Sequence, residues 1–322
     1  MSSLLTAQLI LNASEQLTIY VSFIILFSGV FGHIANIFVF THLTIFHGNP
    51  STFYLIAESI ADLLELMIPF TSRIAMTGFN NDLTKTSLLW CKLRPLILQS
   101  ITLVSLSIIC FSAIDQYLST TEILITIATI FWILHGTSVL FMFEIHSKYG
   151  CNTYNQNFLN YITYGYYVIL TGALPITVST FFSVLAYRNV RHIVRRQMTI
   201  RRRKLDQQLT AMILVRVGFF AVTTIPYLLQ RIYALSTLTN DSNVISQAIV
   251  QLIGTITLSL SYLNYAGSFY LFLISSTRFR RQVKHVFINK CWRVYRKKRP
   301  RQNQVGTLTQ FSASEYDLQS TQ

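Results

Sequence analysis

The stretch Leu88–Tyr117, LLWCKLRPLILQSITLVSLSIICFSAIDQY, decides the fold class, because it is mainly apolar and long enough to cross a lipid bilayer as one helix. Six further apolar stretches of sufficient length flank it in the chain: Leu17–Leu43, Phe53–Met76, Ile123–Phe143, Phe158–Tyr187, Leu209–Leu235 and Val244–Ser275. The sequence therefore predicts an all-α membrane protein, built as a seven-transmembrane helix bundle.

The composition excludes an ordinary soluble domain. Apolar residues make up 52% of the 322 residues and charged residues only 12%, about half the charged share of soluble domains. The net charge of +14 is concentrated in two blocks, Arg188–Lys204 and Arg278–Arg301, which together hold nineteen basic residues. Both blocks adjoin apolar stretches, so membrane lipid headgroups or a cytosolic protein are the expected partners, and nucleic acid is not.

The basic blocks also set the predicted orientation. Cytoplasmic loops are enriched in Lys and Arg, so both blocks are predicted to lie in the cytosol. With seven crossings the N-terminus then lies outside, and we expect a multi-pass protein of the plasma membrane. The glycosylation triplets that begin at Asn12 and Asn240 both fall on the predicted outer side.

Four regions are predicted: a short extracellular N-terminus (1–16), the transmembrane domain (17–275), an amphipathic juxtamembrane helix (276–291) and a disordered cytoplasmic tail (292–322). In the third region apolar residues recur at helical spacing while basic residues take the other faces. Cys291 at its end is a candidate for palmitoylation, with an unmodified thiol as the alternative. The four cysteines have no metal-ligand spacing, so they predict neither a metal site nor a cofactor.

Several residues in the apolar stretches form a pattern of defined spacing. Cys91 precedes Asp115-Gln116-Tyr117 by twenty-four residues. The other members of the pattern are Asn36 in the first stretch, Ala61-Asp62 in the second, Trp132 in the fourth, Pro175 in the fifth, and Phe220 and Pro226 in the sixth. From about Leu17 to Cys291 the chain thereby resembles the rhodopsin-like (class A) family of G-protein-coupled receptors, in particular its invertebrate, peptide-receptor-like members.

This resemblance implies a receptor, not an enzyme, that binds an extracellular ligand and signals to a heterotrimeric G protein. Three departures from the family pattern bear on activation. Gln116 replaces the arginine of the Asp-Arg-Tyr triplet, Thr224 stands in place of a tryptophan, and residues 268–272 replace the Asn-Pro-x-x-Tyr motif. A transporter or a non-signalling seven-helix membrane protein is the alternative, although the sequence lacks the internal repeats typical of transporters.

Asp62 is an ionisable residue in the middle of an apolar stretch, and hence a functional candidate. The resemblance implies a cluster that holds water and a sodium ion, with these members: Asn36, Asp62, Ser105, Asn264 and Ser268. The alternative is a polar cluster that only holds helices together. Glu58, Asp62 and Glu65 share one helix face by their spacing, and this face must point into the bundle.

The resemblance also implies a set of activation residues: Glu58, Asp115, Gln116, Tyr117, Asp206, Arg216, Phe220 and Pro226. Arg216 lies deep in the sixth stretch and needs a counter-charge, and the resemblance places it in the same membrane layer as Glu58. We therefore predict a buried contact between the two residues that holds the inactive state. Asp206 is expected to contact Gln116. A neutral hydrogen bond of this kind is a weaker clamp than a bond to a charged partner, so raised ligand-independent signalling is expected.

Two predictions concern the outer side. Cys91 and Cys151 both face the oxidising compartment, and a disulfide is predicted between them, with two free thiols as the alternative. A ligand pocket is predicted from these residues: Arg94, Gln99, Tyr227, Gln230, Arg231 and Tyr262. Their mixture of cations, amides and aromatic rings favours a peptide or a small acidic ligand. For Arg94 and Arg231 the alternative is that both extend to the lipid headgroups.

The second cytoplasmic loop is predicted to be short. Trp132 lies only seventeen residues after Asp115, about ten fewer than in the family, although two to five residues suffice to join antiparallel helices. This interval contains Glu122 and neither Lys nor Arg, against the usual enrichment of cytoplasmic loops in basic residues. We therefore predict weakened coupling to the G protein, and a real short loop and an incomplete gene model are the two explanations.

Overall fold

The computed structural model describes the backbone of residues 2–42, 50–79, 81–118, 123–146, 150–192, 200–237 and 243–298. It does not describe the side chains of residues 2, 50, 146, 189–192, 200–206, 235–237 and 289–298. The chain forms two compact units, residues 1–282 and 283–322, and the sites considered below belong to the first unit.

Helices make up most of the described chain, and they are numbered here in chain order. They are α1 (Ser2–His42), α2 (Pro50–Glu65, continued to Gly78), α3 (Leu88–Leu118), α4 (Ile123–Met142), α5 (Gln156–Asn160, continued to His192), α6 (Ile200–Thr237), α7 (Val244–Ala266), α8 (Ser268–Ser275) and α9 (Thr277–Lys298). The continuations of α2 and α5 contain π-helical stretches, namely Leu66–Phe70, Ile74–Gly78 and Tyr161–Ala173.

Among the described residues, six helices are long and apolar enough to cross a membrane. They are Ser3–His42, Leu88–Leu118, Ile123–Met142, Gln156–Arg188, Gln207–Ala234 and Val244–Ala266. Each coincides with a predicted apolar stretch, so the chain is an all-α membrane protein with several crossings. The remaining predicted stretch, Phe53–Met76, lies in α2, which the two π-helical stretches interrupt near Pro69.

Two predicted boundaries differ from the structure. α1 begins at Ser2, so the predicted N-terminal region ahead of the first crossing is already helical. α9 continues to Lys298, whereas the disordered tail is predicted to begin at residue 292. Residues 2–16 and 292–298 contain neither Gly nor Pro, so nothing in their sequence ends a helix there. The rest of the predicted tail, residues 299–322, lies outside the described residues.

A two-stranded antiparallel hairpin follows α4. Strand β1 (Glu144–His146) pairs with β2 (Gly150–Asn152), and Ile145 lies opposite Cys151. Cys151 forms a disulfide with Cys91 near the start of α3, and the Cα atoms of the two residues are 5.6 Å apart, as is usual for a disulfide. The predicted disulfide is therefore present. We call the end of the helices at which it lies the disulfide end.

The distribution of polar residues is the reverse of that in a soluble protein. α4 buries Gly136 and Val139 but exposes large apolar side chains such as Phe131, Leu134 and Phe141. Such a surface is suited to contact with lipid tails, because the tails are as apolar as the side chains. The interior instead contains fully buried polar and charged side chains, among them Asn36, Glu58, Asp62, Ser105 and Arg216.

α1 packs on α7 through a glycine. A Cβ atom added to Gly29 would lie 2.8 Å from the Cβ atom and 3.1 Å from the Cα atom of Ala266. The second of these atoms belongs to the backbone and cannot move aside without shifting α7. Small residues at such crossings allow membrane helices to approach closely.

We therefore expect Gly29→Val to lower the midpoint of thermal unfolding of the protein purified in lipid nanodiscs. Overpacking of this kind typically costs about 1–3 kcal/mol. Gly218→Val is the matched control, because Gly218 is exposed and a Cβ atom there would meet nothing within 4 Å. Equal midpoints for the two variants would contradict the close α1–α7 contact.

Candidate functional site

A buried arginine on α6 connects this helix to α2 and α7. Arg216 is only 1% exposed. Its Nε donates to Oε1 of Glu58 at 2.6 Å, and its Nη2 donates to Oδ2 of Asp62 at 3.2 Å. Its Nη1 donates to the side-chain oxygen of Asn264. The predicted contact between Glu58 and Arg216 is thus present, and Asp62 and Asn264 share the same guanidinium group.

Further hydrogen bonds extend this polar interior to α1, α3 and α8. Ser105 Oγ donates to Oδ1 of Asp62 at 2.5 Å. Asn36 Nδ2 donates to Ser268 Oγ at 3.2 Å. The five residues predicted as one cluster therefore all lie in the interior, in two hydrogen-bonded groups. One group is centred on Arg216, and the other is the Asn36–Ser268 pair.

The charges in this network depend on one another. Moving an isolated ion from water into an apolar interior costs several kcal/mol, and a partner with good geometry offsets this cost. Arg216 has three such partners, two of them carboxylates. Glu65, the third carboxylate on the same face of α2, is also buried, but its Oε2 has no hydrogen-bond partner. The ion pairs therefore hold α6 against the part of α2 that contains Glu58 and Asp62.

This arrangement does not fit the sodium ion that the resemblance implies. One oxygen of Asp62 accepts from Ser105 and the other from Arg216, and the side-chain oxygen of Asn264 also accepts from Arg216. The guanidinium group lies within 3.2 Å of Asp62, and it would repel a second cation placed beside that carboxylate. We therefore assign no role to sodium.

His33 has a structural partner. Its Nε2 donates to the main-chain carbonyl of Tyr265 on α7 at 2.5 Å, and the residue is 1% exposed. The bond joins α1 to α7 in the interior. Helix packing therefore accounts for this histidine.

Hydrogen bonds also join α2, α3 and α6 at the end of the helices opposite the disulfide. Ser51 Oγ donates to Oδ2 of Asp115 at 2.8 Å, and Gln116 Nε2 donates to Ser51 Oγ. Thr210 Oγ1 donates to Oε1 of Gln116 at 2.5 Å. The described link between α3 and α6 therefore runs through Thr210. The side chain of Asp206, the predicted partner of Gln116, lies outside the described residues.

The other predicted activation residues lie along α3 and α6. Phe220 is 1% exposed and follows Arg216 by one helical turn. Pro226 lies inside α6, where it removes one backbone hydrogen bond and permits a bend. Tyr117, near the end of α3, is 39% exposed, and its ring lies 6.2 Å from that of Phe182 on α5.

The predicted pocket residues divide into two kinds. The two amides bind neighbouring helices: Gln99 Nε2 lies 3.4 Å from Nδ1 of His135, and Gln230 Nε2 donates to the carbonyl of Val250 at 3.2 Å. The other four predicted residues are arginines and tyrosines: Arg94, Tyr227, Arg231 and Tyr262. Arg94 lies near the start of α3, Arg231 lies near the end of α6, and the ring of Tyr262 lies 4.2 Å from that of Phe70 on α2.

Two residues that the sequence analysis does not single out belong with these four. Arg73 on α2 follows Ser72, whose hydroxyl accepts a hydrogen bond from Arg94 Nε at 2.9 Å. The guanidinium carbon of Arg231 lies 4.8 Å from the ring centroid of Tyr167 on α5. Arg73 carries a signal in the sequence, because it is a cation within an apolar stretch. Tyr167 carries none, because it lies in a π-helical stretch that ordinary helical spacing does not predict.

The predicted modification sites are only partly described. Asn12 lies on the exposed surface of α1. Asn240 and the side chain of Cys291 lie outside the described residues. Glycosylation and palmitoylation therefore stay predictions.

No protein-family model matches the chain, and no curated protein is similar enough to it to count as a relative. The function proposed below therefore rests on the residues and their geometry.

We expect Arg216→Leu to lower the free energy of unfolding by about 3–5 kcal/mol, because it leaves Glu58 and Asp62 as buried charges without their partner. Glu58→Leu should have the smaller effect, since Asp62 still pairs with Arg216. The double variant should lose much less than the sum of the two. A double-mutant cycle measured by thermal unfolding checks this, and additive losses would contradict the ion pair.

Proposed function

We propose that the chain is a G-protein-coupled receptor of the rhodopsin-like class. In this proposal α2 and the six long apolar helices form a seven-transmembrane bundle, and residues 276–291, most of them in α9, form an amphipathic eighth helix. The N-terminus lies outside the plasma membrane. The receptor binds an extracellular peptide or small molecule near the disulfide end and signals to a heterotrimeric G protein at the opposite end.

The proposal rests on the contacts that α3 makes at its two ends. Cys91 ties the β1–β2 hairpin to one end of α3, and Gln116 accepts a hydrogen bond from Thr210 of α6 at the other. Twenty-five residues of helix span roughly 38 Å, which is more than the apolar thickness of a bilayer. One rigid helix thus joins an extracellular loop to a cytoplasmic contact, as transmembrane signalling requires.

The buried ion pairs support a switch on α6. Arg216 holds the middle of α6 against α2 and α7, and Thr210 holds its cytoplasmic end against α3. Both contacts are local and can break together if α6 rotates or swings. Pro226 lies between these contacts and the ligand end of α6, where a bend is permitted. Contacts that exchange between two arrangements are the usual basis of such transitions.

The charge distribution supports the orientation. The two basic blocks follow α5 and α8, so seven crossings place both in the cytosol, next to anionic lipids and the G protein. α3 ends at Leu118 and α4 begins at Ile123, so the connection that usually helps to seat the G protein is short. We therefore expect weak coupling.

The test uses the full-length chain with an epitope at its N-terminus, expressed in cells. Antibody staining of intact cells reports the orientation, and dissociation of G-protein subunits during a ligand-library screen reports signalling. Nucleotide exchange by purified G proteins of each class, with the chain in nanodiscs, supplies a readout that needs no ligand. Uptake of labelled solutes would favour the transporter alternative. Antibody staining without nucleotide exchange by any G protein would favour the non-signalling alternative.

Thr210→Val should raise ligand-independent nucleotide exchange severalfold. The change removes the hydroxyl that bonds Gln116 and so releases a link worth about 0.5–1.5 kcal/mol between α3 and α6. Thr223→Val is the matched control on the same helix, because the Thr223 hydroxyl bonds the carbonyl of Phe219 in its own helix at 2.9 Å. Unchanged exchange in Thr210→Val, or an equal rise in Thr223→Val, would show that this link does not restrain activation.

A further inference from the structure

Three arginines from three helices lie together in the half of the bundle nearer the disulfide. We call them the arginine cluster: Arg73 on α2, Arg94 on α3 and Arg231 on α6. Each is half-buried. Arg94 Nε donates to the hydroxyl of Ser72, the residue next to Arg73, at 2.9 Å. The ring of Tyr167, which faces the Arg231 guanidinium, lies 6.3 Å from the ring of Tyr227, and Tyr227 also lies near Arg73. The three guanidinium groups therefore border one region of the interior.

The arginine cluster has no counter-charge among the described residues. Arg94 Nε donates to the neutral hydroxyl of Ser72 at 2.9 Å, and Nε of Arg231 has no hydrogen-bond partner. The ion pairs found in the described ranges involve Lys85 or Arg216, and none includes a member of the cluster. Among the described residues, the central arginine thus has two ion pairs and these three arginines have none.

No ion pair joins a carboxylate of α2 to the cluster among the described residues. Glu65, eight residues before Arg73, takes part in none of the ion pairs found there. Like charges in a partly desolvated space repel one another strongly. An anion bound among the three guanidinium groups would replace this repulsion by attraction.

The contacts of the cluster direct it into the bundle rather than to the lipid headgroups. The Arg231 guanidinium lies over the ring of Tyr167, with its central carbon 4.8 Å from the ring centroid. Arg94 bonds Ser72 of the neighbouring helix. Tyr262, which is buried on α7, lies within electrostatic range of both Arg73 and Arg94. Aromatic rings therefore surround the charged groups.

The backbone around the cluster is unusual as well. The π-helical stretches Leu66–Phe70 and Ile74–Gly78 lie on either side of Arg73, and a third, Tyr161–Ala173, contains Tyr167. π-helical turns are rare and occur frequently at functional sites, because they alter which side chains face the interior.

We propose that the arginine cluster binds the carboxylate of the ligand, an organic acid whose apolar or aromatic part packs against the surrounding tyrosines. The planar guanidinium group matches the two oxygens of a carboxylate. Aromatic walls with a few convergent polar groups are typical of ligand sites. The inference rests on the proposed function and deepens it by naming the class of ligand. The carboxylate belongs either to a free organic acid or to the C-terminus of a peptide.

The experiment measures thermal unfolding of the full-length chain in nanodiscs of phosphatidylcholine, which has no net charge. One arm compares N-acetylphenylalanine with its amide, and the other compares a random hexapeptide mixture with free C-termini with the same mixture amidated. In at least one arm the acid should raise the midpoint by about 5 °C when it is in large excess over its dissociation constant, and the amide should not. The responding arm identifies the source of the carboxylate.

Substitutions test whether the acid binds at the arginine cluster. Arg73→Gln and Arg231→Gln should each weaken binding of the acid at least tenfold, while the midpoint without acid stays the same or rises because repulsion is relieved. Lys92→Gln is the control, since Lys92 lies two residues from Arg94 and therefore about 200° around α3. Lys92→Gln should respond as the parent chain does.

Equal midpoints with acids and amides in both arms would overturn the inference, as would an undiminished response in both arginine variants. Because no G protein takes part, failure here is distinct from failure of the proposed function. Activation of a G protein by a neutral ligand alone would overturn only the inference. Binding of the acid without any nucleotide exchange would overturn only the receptor proposal.

Discussion

Arg216 places a positive charge in the middle of an apolar bundle, and the packing of the central helices depends on the partners that this charge requires. Glu58 and Asp62 neutralise it, Asn264 accepts from its remaining nitrogen, and Ser105 completes the bonding of Asp62. An unpaired charge at this depth is costly, so α2, α3, α6 and α7 can move apart only if the network rearranges. The same network explains why a separate cation has no place beside Asp62.

α6 connects this central constraint with both ends of the bundle. Arg231 belongs to the arginine cluster, Arg216 to the central network and Thr210 to the link with Gln116. Residues 210–231 span roughly 32 Å as a helix, so one element carries all three contacts across the bilayer. In the proposed receptor, an anion that draws Arg231 toward Arg73 would pull on the end of α6 beyond Pro226, and α6 would couple this movement to the contact with Gln116.

Much of this arrangement can be predicted from the sequence. The apolar stretches predict the six long helices, because a segment that crosses a bilayer must satisfy its backbone hydrogen bonds internally. The disulfide and the Glu58–Arg216 contact are also predicted correctly. The first follows from the oxidising side that the two cysteines share, and the second from the need of Arg216 for a partner in the layer that the resemblance indicates. The helices and the ion pair share a cause that acts on single residues: the high cost of exposing a polar group to lipid or of leaving a charge unpaired.

The sequence by itself determined that the chain crosses a membrane several times, where its basic blocks lie along it and that Arg216 needs a buried counter-charge. Only the tertiary structure decided that Asp62 and Asn264 share the same guanidinium group, that Gln116 bonds Thr210, and that Arg73 stands near Arg94. The physical reason is that these contacts join residues far apart in the chain. Their distances depend on how helices cross and where π-helical turns shift the register, and side-chain periodicity carries no information about either.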